Sequence, residues 1–308
     1  AIRGLKDMYQ NVVNIDSAMV ELKKVTNETD ESYNTFLKGT NKKAQEIGTT
    51  ITGLVSSTAD FARLGYNFEE SQKLAEVANI YAVVGDEIEN VDVATESIIS
   101  TMKAFNINAN DSISIVDKFN EVGNNFAISS GGIGEAMKRS ASSMAAAGNT
   151  IDETIALITA ANTVVQNPEK VGTAFKTISM RIRGAKTELE EAGESTEGMA
   201  ESTAKLQKEI KALSGVDIMK NKDEFKSTYQ ILDELAQKWG GLTDIQQASI
   251  IELLAGKHQG NVMASLMNNF DEAREALAVS MGSDGSAMKE HEKWLDSVEA
   301  KQLQLKAA

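Results

Sequence analysis

Cysteine is missing from all 308 residues, and there is a single proline. The first absence excludes disulfides and thiolate metal sites, while leaving the compartment open. The second removes the strongest helix breaker from every position but Pro168. Aromatic residues make up only 5% of the chain, which suits long helices packed through small side chains better than a sheet-rich enzyme. No run of about 18 apolar residues occurs, so no transmembrane span is expected in this segment. Basic residues are outnumbered, 31 Lys and Arg against 45 Asp and Glu, for a formal charge of −14. That balance argues against a basic surface for a phosphate backbone, so no specific nucleic acid is expected as a partner. It favours a soluble, self-repelling surface instead. The length admits one or two domains. The chain opens at Ala1 without a methionine and closes inside a helical pattern, so it is expected to be part of something longer.

What is present reads most clearly over residues 131–183, as three consecutive helices. The first is expected to start at Gly131–Gly132 and carries Ile133, Met137, Ala141 and Met144 on one face. Gly148 stops it; Thr150, with Glu153 three residues on, makes a capping box for the second helix. Ile151, Ile155, Ile158, Asn162 and Val165 follow at helical spacing. Asn167 caps the third helix and Pro168 takes its first position, where a missing N–H costs nothing. The apolar stripe of that helix is Val171, Phe175, Ile178 and Ile182. Between the large residues of the first helix stand Ala136, Ser140, Ala145 and other small side chains, which allow close helix packing.

Elsewhere the same punctuation continues. Leu5, Met8, Val12, Ile15, Met19 and Leu22 form a heptad seam. Thr29 caps a helix to about Ile47, and further helices cover about 51–64 and 69–82. Residues 62–71 echo residues 145–154 at an offset of 83, with Leu74 falling on Leu157 and Asn79 on Asn162. Duplication and a generic capped hairpin both explain that echo. Helices at 91–105 and 112–122 lead to a loop-like stretch at 123–132. The glutamate-rich stretch 185–203 is expected to be a mobile connector. Beyond it, helices are expected at 204–213, 225–239, 244–255 and 260–270, with Thr243 as a cap and Gly256 as a stop. A weaker seam closes the chain: Met288, His291, Leu295, Val298, Gln302 and Leu305.

The expected fold is therefore all-α, a multi-helix bundle of antiparallel hairpins flanked by heptad-containing helices at both ends. The expected divisions are 1–54 (heptad helix and connecting helix), 55–184 (core bundle), 185–203 (acidic connector), 204–282 (second bundle) and 283–308 (C-terminal heptad helix).

No catalytic constellation is found, and no catalytic, cofactor-binding or metal-ligating residue is assigned. Only His258 and His291 offer imidazole, on different helices. Residues 254–258 (LAGKH) fail as a phosphate loop: Ile251 stands where the first glycine belongs, and His258 where a magnesium-binding Ser or Thr belongs. The glycines at 131–134 follow no predicted strand, and residues 111–119 lack the glycine and terminal glutamate of a calcium loop. Lys170, Lys176, Arg181, Arg183 and Lys186 form a local basic patch, read as solvated helix faces or as a docking surface.

The order of G-x-x-x-A-x-x-x-S, the AAAGNTIDET turn, the NPEKVGTAFKTI helix and the terminal RIRG resembles the core region of phage tail tape-measure proteins. Residues 229–269 resemble the next block, so the likeness covers roughly 55–270. The resemblance implies a structural, non-enzymatic protein without cofactors. Such a protein lies in the tail-tube lumen, sets tail length during assembly in the host cytoplasm, and leaves ahead of the DNA. Implied partners are further copies of itself (a trimer favoured), tail-tube and baseplate or tail-tip proteins, and tail assembly chaperones. A non-viral helical scaffold or adaptor, and a non-catalytic part of a cell-wall hydrolase, stay open at this point.

Overall fold

The computed structural model describes residues 2–307, with side chains from Met8 onward. Among the described residues the protein is all-α, with sixteen α-helices, a 3-10 turn at Ala109–Asp111 and one isolated β-bridge, Met219 to Phe225. In chain order the helices are α1 (Ile2–Val25), α2 (Asp30–Ile47), α3 (Ile51–Arg63), α4 (Phe68–Val84), α5 (Val91–Phe105) and α6 (Ile113–Asn125). Next come α7 (Ser130–Ala146), α8 (Ile151–Val165), α9 (Pro168–Arg183), α10 (Lys186–Glu191) and α11 (Thr203–Ser214). The series ends with α12 (Thr228–Trp239), α13 (Asp244–Asn268), α14 (Phe270–Met281), α15 (Ser286–Leu295) and α16 (Val298–Ala307). None is long and apolar enough to cross a membrane.

Contacts divide the chain into two compact units. One holds residues 1–98, 108–120 and 285–308; the other holds 99–107 and 121–284. This differs from the expected divisions at both ends of the chain. The C-terminal helices belong with the N-terminal ones, and residues 185–203 join nothing to anything, because the helices before and after them lie in the same unit.

In the first unit α3 packs on α1 and α4. The α1 seam splits along its length. Met19 and Leu22 are buried with Tyr33, Phe36, Val55 and Ala59, and Ile15 packs against that cluster. Val12 and Met8, one and two turns before Ile15, are 64% and 67% exposed; the Leu5 side chain lies outside the described residues. The closing seam is not one helix. Asp296 and Ser297 interrupt it, and the Ser297 hydroxyl accepts from the Ala300 N–H at 3.0 Å to start α16 afresh. That turn lays α16 on α2, where Asn41 and Gln45 donate to the Ala307 carbonyl at 2.8 and 3.2 Å. His291 is buried and Leu305 is exposed, so the six positions do not share an environment.

The second unit is built on α7, α8 and α9. Its second and third helix starts are as the sequence indicates: Thr150 and Glu153 complete a capping box, and Asn167 caps a helix opened by Pro168. The first start is one residue earlier than the glycines. Ser129 is the N-cap, its hydroxyl accepting from the Gly132 N–H at 2.9 Å. With α6 reaching Asn125, only residues 126–129 of the expected loop lie outside helices.

The echo at offset 83 has the same geometry in both places. Leu64 and Ala147 end their helices, Gly65 and Gly148 take φ of 90° and 79°, and Asn67–Glu70 and Thr150–Glu153 both form complete capping boxes. Leu74 and Leu157 are both fully buried, as are Asn79 and Asn162 to within 3%. Each unit thus contains one copy of the hairpin.

Candidate functional site

Two members of the basic patch, Arg181 and Arg183, organise the second unit, while Lys170 and Lys186 are exposed. On α9 the stripe Val171, Phe175, Ile178 and Ile182 is fully buried. Its neighbour α7 approaches closely because both surfaces are small: a Cβ at Gly172 would stand 2.5 Å from the Ala136 carbonyl oxygen. In the last turn of α9 stand Arg181, which is buried, and Arg183, which is half-buried.

Arg181 is 2% exposed. Its guanidinium donates to four backbone carbonyls: Leu253 at 3.2 Å, Ser195 at 3.1 Å, Glu197 at 3.1 Å and Glu252 at 2.9 Å. Two of these close the helix turn that precedes Gly256, where α13 leaves helical geometry at φ 67° and ψ −175°. The cation therefore sits at the negative end of a helix segment. The other two carbonyls pin the acidic stretch, whose α10 also buries Leu189. Arg183 lies over the Phe225 ring, 4.4 Å from its centroid, and donates to the carbonyls of Ala147 and Lys226, the latter at 2.8 Å. Burial lowers both guanidinium pKa values from the ordinary arginine range, yet arginine keeps its charge through such shifts.

The AAAGNTIDET turn takes part in the same lock. Asn149 donates to the Met144 carbonyl at 2.7 Å and accepts from the Tyr229 N–H at 2.8 Å. The Ser227 hydroxyl, which caps α12, reaches Glu153 at 3.3 Å. Thus the RIRG end, the glycine turn, the start of α12 and the Leu-Ala-Gly of α13 are joined by polar contacts to backbone. The Arg181 guanidinium, committed to four carbonyls, holds structure. Arg183 donates through Nη2 to two carbonyls, and its buried Nη1 has no hydrogen-bond partner among the described residues.

Of the remaining candidates, all but the exposed His258 are committed to structure. His291 lies in the first unit, buried, with Nε2 2.9 Å from the Ile47 carbonyl and its ring stacked on Trp294. His258 is exposed beside a hollow lined by Arg139, Asn167, Glu169, Lys170 and Thr173. Arg139 there is already paired with Glu135 and Glu169 at 3.1 and 2.9 Å. The Gly131–Gly134 start does not form an anion cradle: a Cβ at Gly132 would meet the Ser129 hydroxyl at 2.9 Å and Pro168 at 3.0 Å. Asp117, inside the rejected calcium segment, accepts from the Ala287 N–H at 2.8 Å. Among the described residues no group of three or more His, Cys, Asp or Glu is arranged to hold a metal.

One carboxylate in the second unit has a pH consequence. Asp217 accepts from the Met219 N–H at 3.0 Å, from Gln207 at 2.8 Å and from Lys211 at 2.9 Å. These bonds, the backbone one first, lower its pKa from 3.8 to about 2. A depressed carboxylate stabilises the fold fully above its unfolded value and loses that contribution as pH falls through the folded one. Asp217→Asn is expected to flatten the dependence of stability on pH between 3.8 and about 2, read from denaturant midpoints. An unchanged slope would show that the turn does not hold the carboxylate in solution.

Sequence reasoning did not find the arginine contacts, because positive charges one and three residues before a glycine stop read as exposed. The available signal was the adjacency of two arginines at the end of a strongly apolar helix, Ile178 and Ile182 alternating with Arg181 and Arg183. No solved structure matches the chain. The family model for phage-related minor tail proteins matches residues 41–256, and therefore takes in both hairpin copies, the arginine lock and Gly256. This chain, a helical framework with no reacting centre assigned to it, belongs to the phage-related minor tail protein family and has a structural role in the tail.

Proposed function

We propose that the chain is the core region of a tail tape-measure protein. It lies in the lumen of the tail tube, sets tube length while the tail assembles in the host cytoplasm, and departs ahead of the DNA. The observation that carries this reading is the family match over residues 41–256 on an all-α chain. Helix rise supports it, because a helical chain converts residue number into distance linearly, at about 1.5 Å per residue. The net charge of −14 supports it too, since DNA passing through the same channel would be repelled. The compact units are then one folded portion, and the stretched ruler lies elsewhere in the protein or forms when these units open. Partners on this reading are the tail tube, baseplate or tip proteins, assembly chaperones and further copies of the chain. Cross-linking of assembled tails tests the location: links from this segment should go to the inner wall of the tube. Links confined to the outer surface would overturn it.

We infer self-association, which the divided seam supports. Met19 and Leu22 already have partners within the unit, whereas Met8 and Val12 continue the same face without one. A parallel bundle of α1 helices, three for preference, would cover them. Val12→Asp is expected to convert the oligomer to a monomer by sedimentation, with far-UV helicity unchanged because Val12 is not in the unit's core. A wild-type protein that stays monomeric at about 100-fold the concentration needed for typical micromolar association would contradict this.

A further inference from the structure

The bend in α13 is a built feature with its own fastening. Among the residues from Asp244 to Asn268, Gly256 alone leaves helical geometry. In an unbroken helix the carbonyls of Glu252 and Leu253 serve the N–H groups of Gly256 and Lys257, four residues on. Here both carbonyls accept from Arg181, at 2.9 and 3.2 Å, so the guanidinium fastens the helix turn that runs into the non-helical Gly256. The same guanidinium holds the carbonyls of Ser195 and Glu197, and Glu197 is also ion-paired to Lys257, the residue just after the bend.

We propose that α13 is a two-state element, latched in its bent form by Arg181 and by the acidic loop that shares its guanidinium. Release lets Gly256 enter helical geometry, and α13 becomes one straight helix. Three features make the second state accessible. The bent conformation needs φ near 67° with no side chain, which glycine alone takes without strain. The flanking Leu253, Leu254, Ala255 and Lys257 are strong helix formers. And the latch depends on a partly exposed segment: displacing residues 195–197 takes away two of the four acceptors of a buried charge, which cannot remain buried with unfilled donors. Opposing release, Val262, Met263 and Leu266 beyond the bend are buried, so the undisturbed protein rests in the bent state. This device is independent of the tape-measure reading; it is a route by which one end of the family segment passes from compact to extended.

The absence of cysteine allows the test on the whole chain, with Ile245→Cys and Asn268→Cys spin-labelled as a unique pair of exposed sites. An unbroken helix places those positions about 34 Å apart, and a bent one brings them closer. The otherwise wild-type chain should give the shorter distance. Arg181→Ala and Gly256→Ala, one removing the latch and the other disfavouring the bend, should each move at least half of the population to about 34 Å, with far-UV helicity retained. The proposal is overturned if both variants keep the shorter distance. It is overturned as well if both lose helicity as the distances broaden, for the guanidinium is then only a packing strut.

Discussion

Phe175→Ala is expected to destabilise the second unit by about 3–5 kcal/mol in urea or thermal unfolding. The ring is fully buried on α9, and α9 packs on α7, α8 and α13, so no single neighbour is free to fill the space. The upper half of the range applies if the walls stay where they are, the lower half if α7 relaxes inward. Small residues limit that relaxation: the α7 surface is already in backbone contact with α9 at Gly172. A loss below about 0.5 kcal/mol would mean that the stripe faces solvent, and the three-helix core would have to be abandoned.

The second large effect is expected at Gly172 itself. Replacement by alanine should improve helix propensity by about 1 kcal/mol. Against that gain, the new Cβ would lie 2.5 Å from the Ala136 carbonyl oxygen and 2.9 Å from its Cα. Those are backbone atoms that cannot rotate away, so the helices must separate, and overpacking of this kind costs about 1–3 kcal/mol, occasionally more. Collision should win, leaving a net destabilisation of up to about 2 kcal/mol. Because the obstacle is backbone, Ala136→Gly should not rescue the variant. Rescue, or a more stable single variant, would show that α7 and α9 are not in backbone contact.

These two residues also show what was legible beforehand. Phe175 belongs to a stripe whose period names its buried face, and the caps at Thr150 and Asn167 placed the helix starts to the residue. Gly172 was not legible as a contact, because a glycine within a helix carries no sign of which backbone approaches it. The division into units was missed for a related reason. Local periodicity says that the last helices are amphipathic, but not that they return to α2 and α4, more than two hundred residues earlier. The closing seam misled because its spacing runs through Asp296 and Ser297, where a hydroxyl cap starts a new helix. In residues 185–203 the many glutamates were legible, but not the use that Arg181 makes of the Ser195 and Glu197 backbone carbonyls, which carry no sequence signature. As for the site, Gly256 was legible as an interruption of the helix from Asp244, and the non-helical residue of α13 lies there; the arginine that fastens it was not legible.

The central claim, that chain length is read out as tail length, is tested most directly by electron microscopy of tails assembled with altered versions of the full-length protein. In-frame insertion of helical sequence should lengthen the tail by about 1.5 Å per added residue, and deletion should shorten it in proportion. Tails of unchanged length across a series of insertions that still assemble would contradict the ruler and leave this chain a structural tail component of another kind.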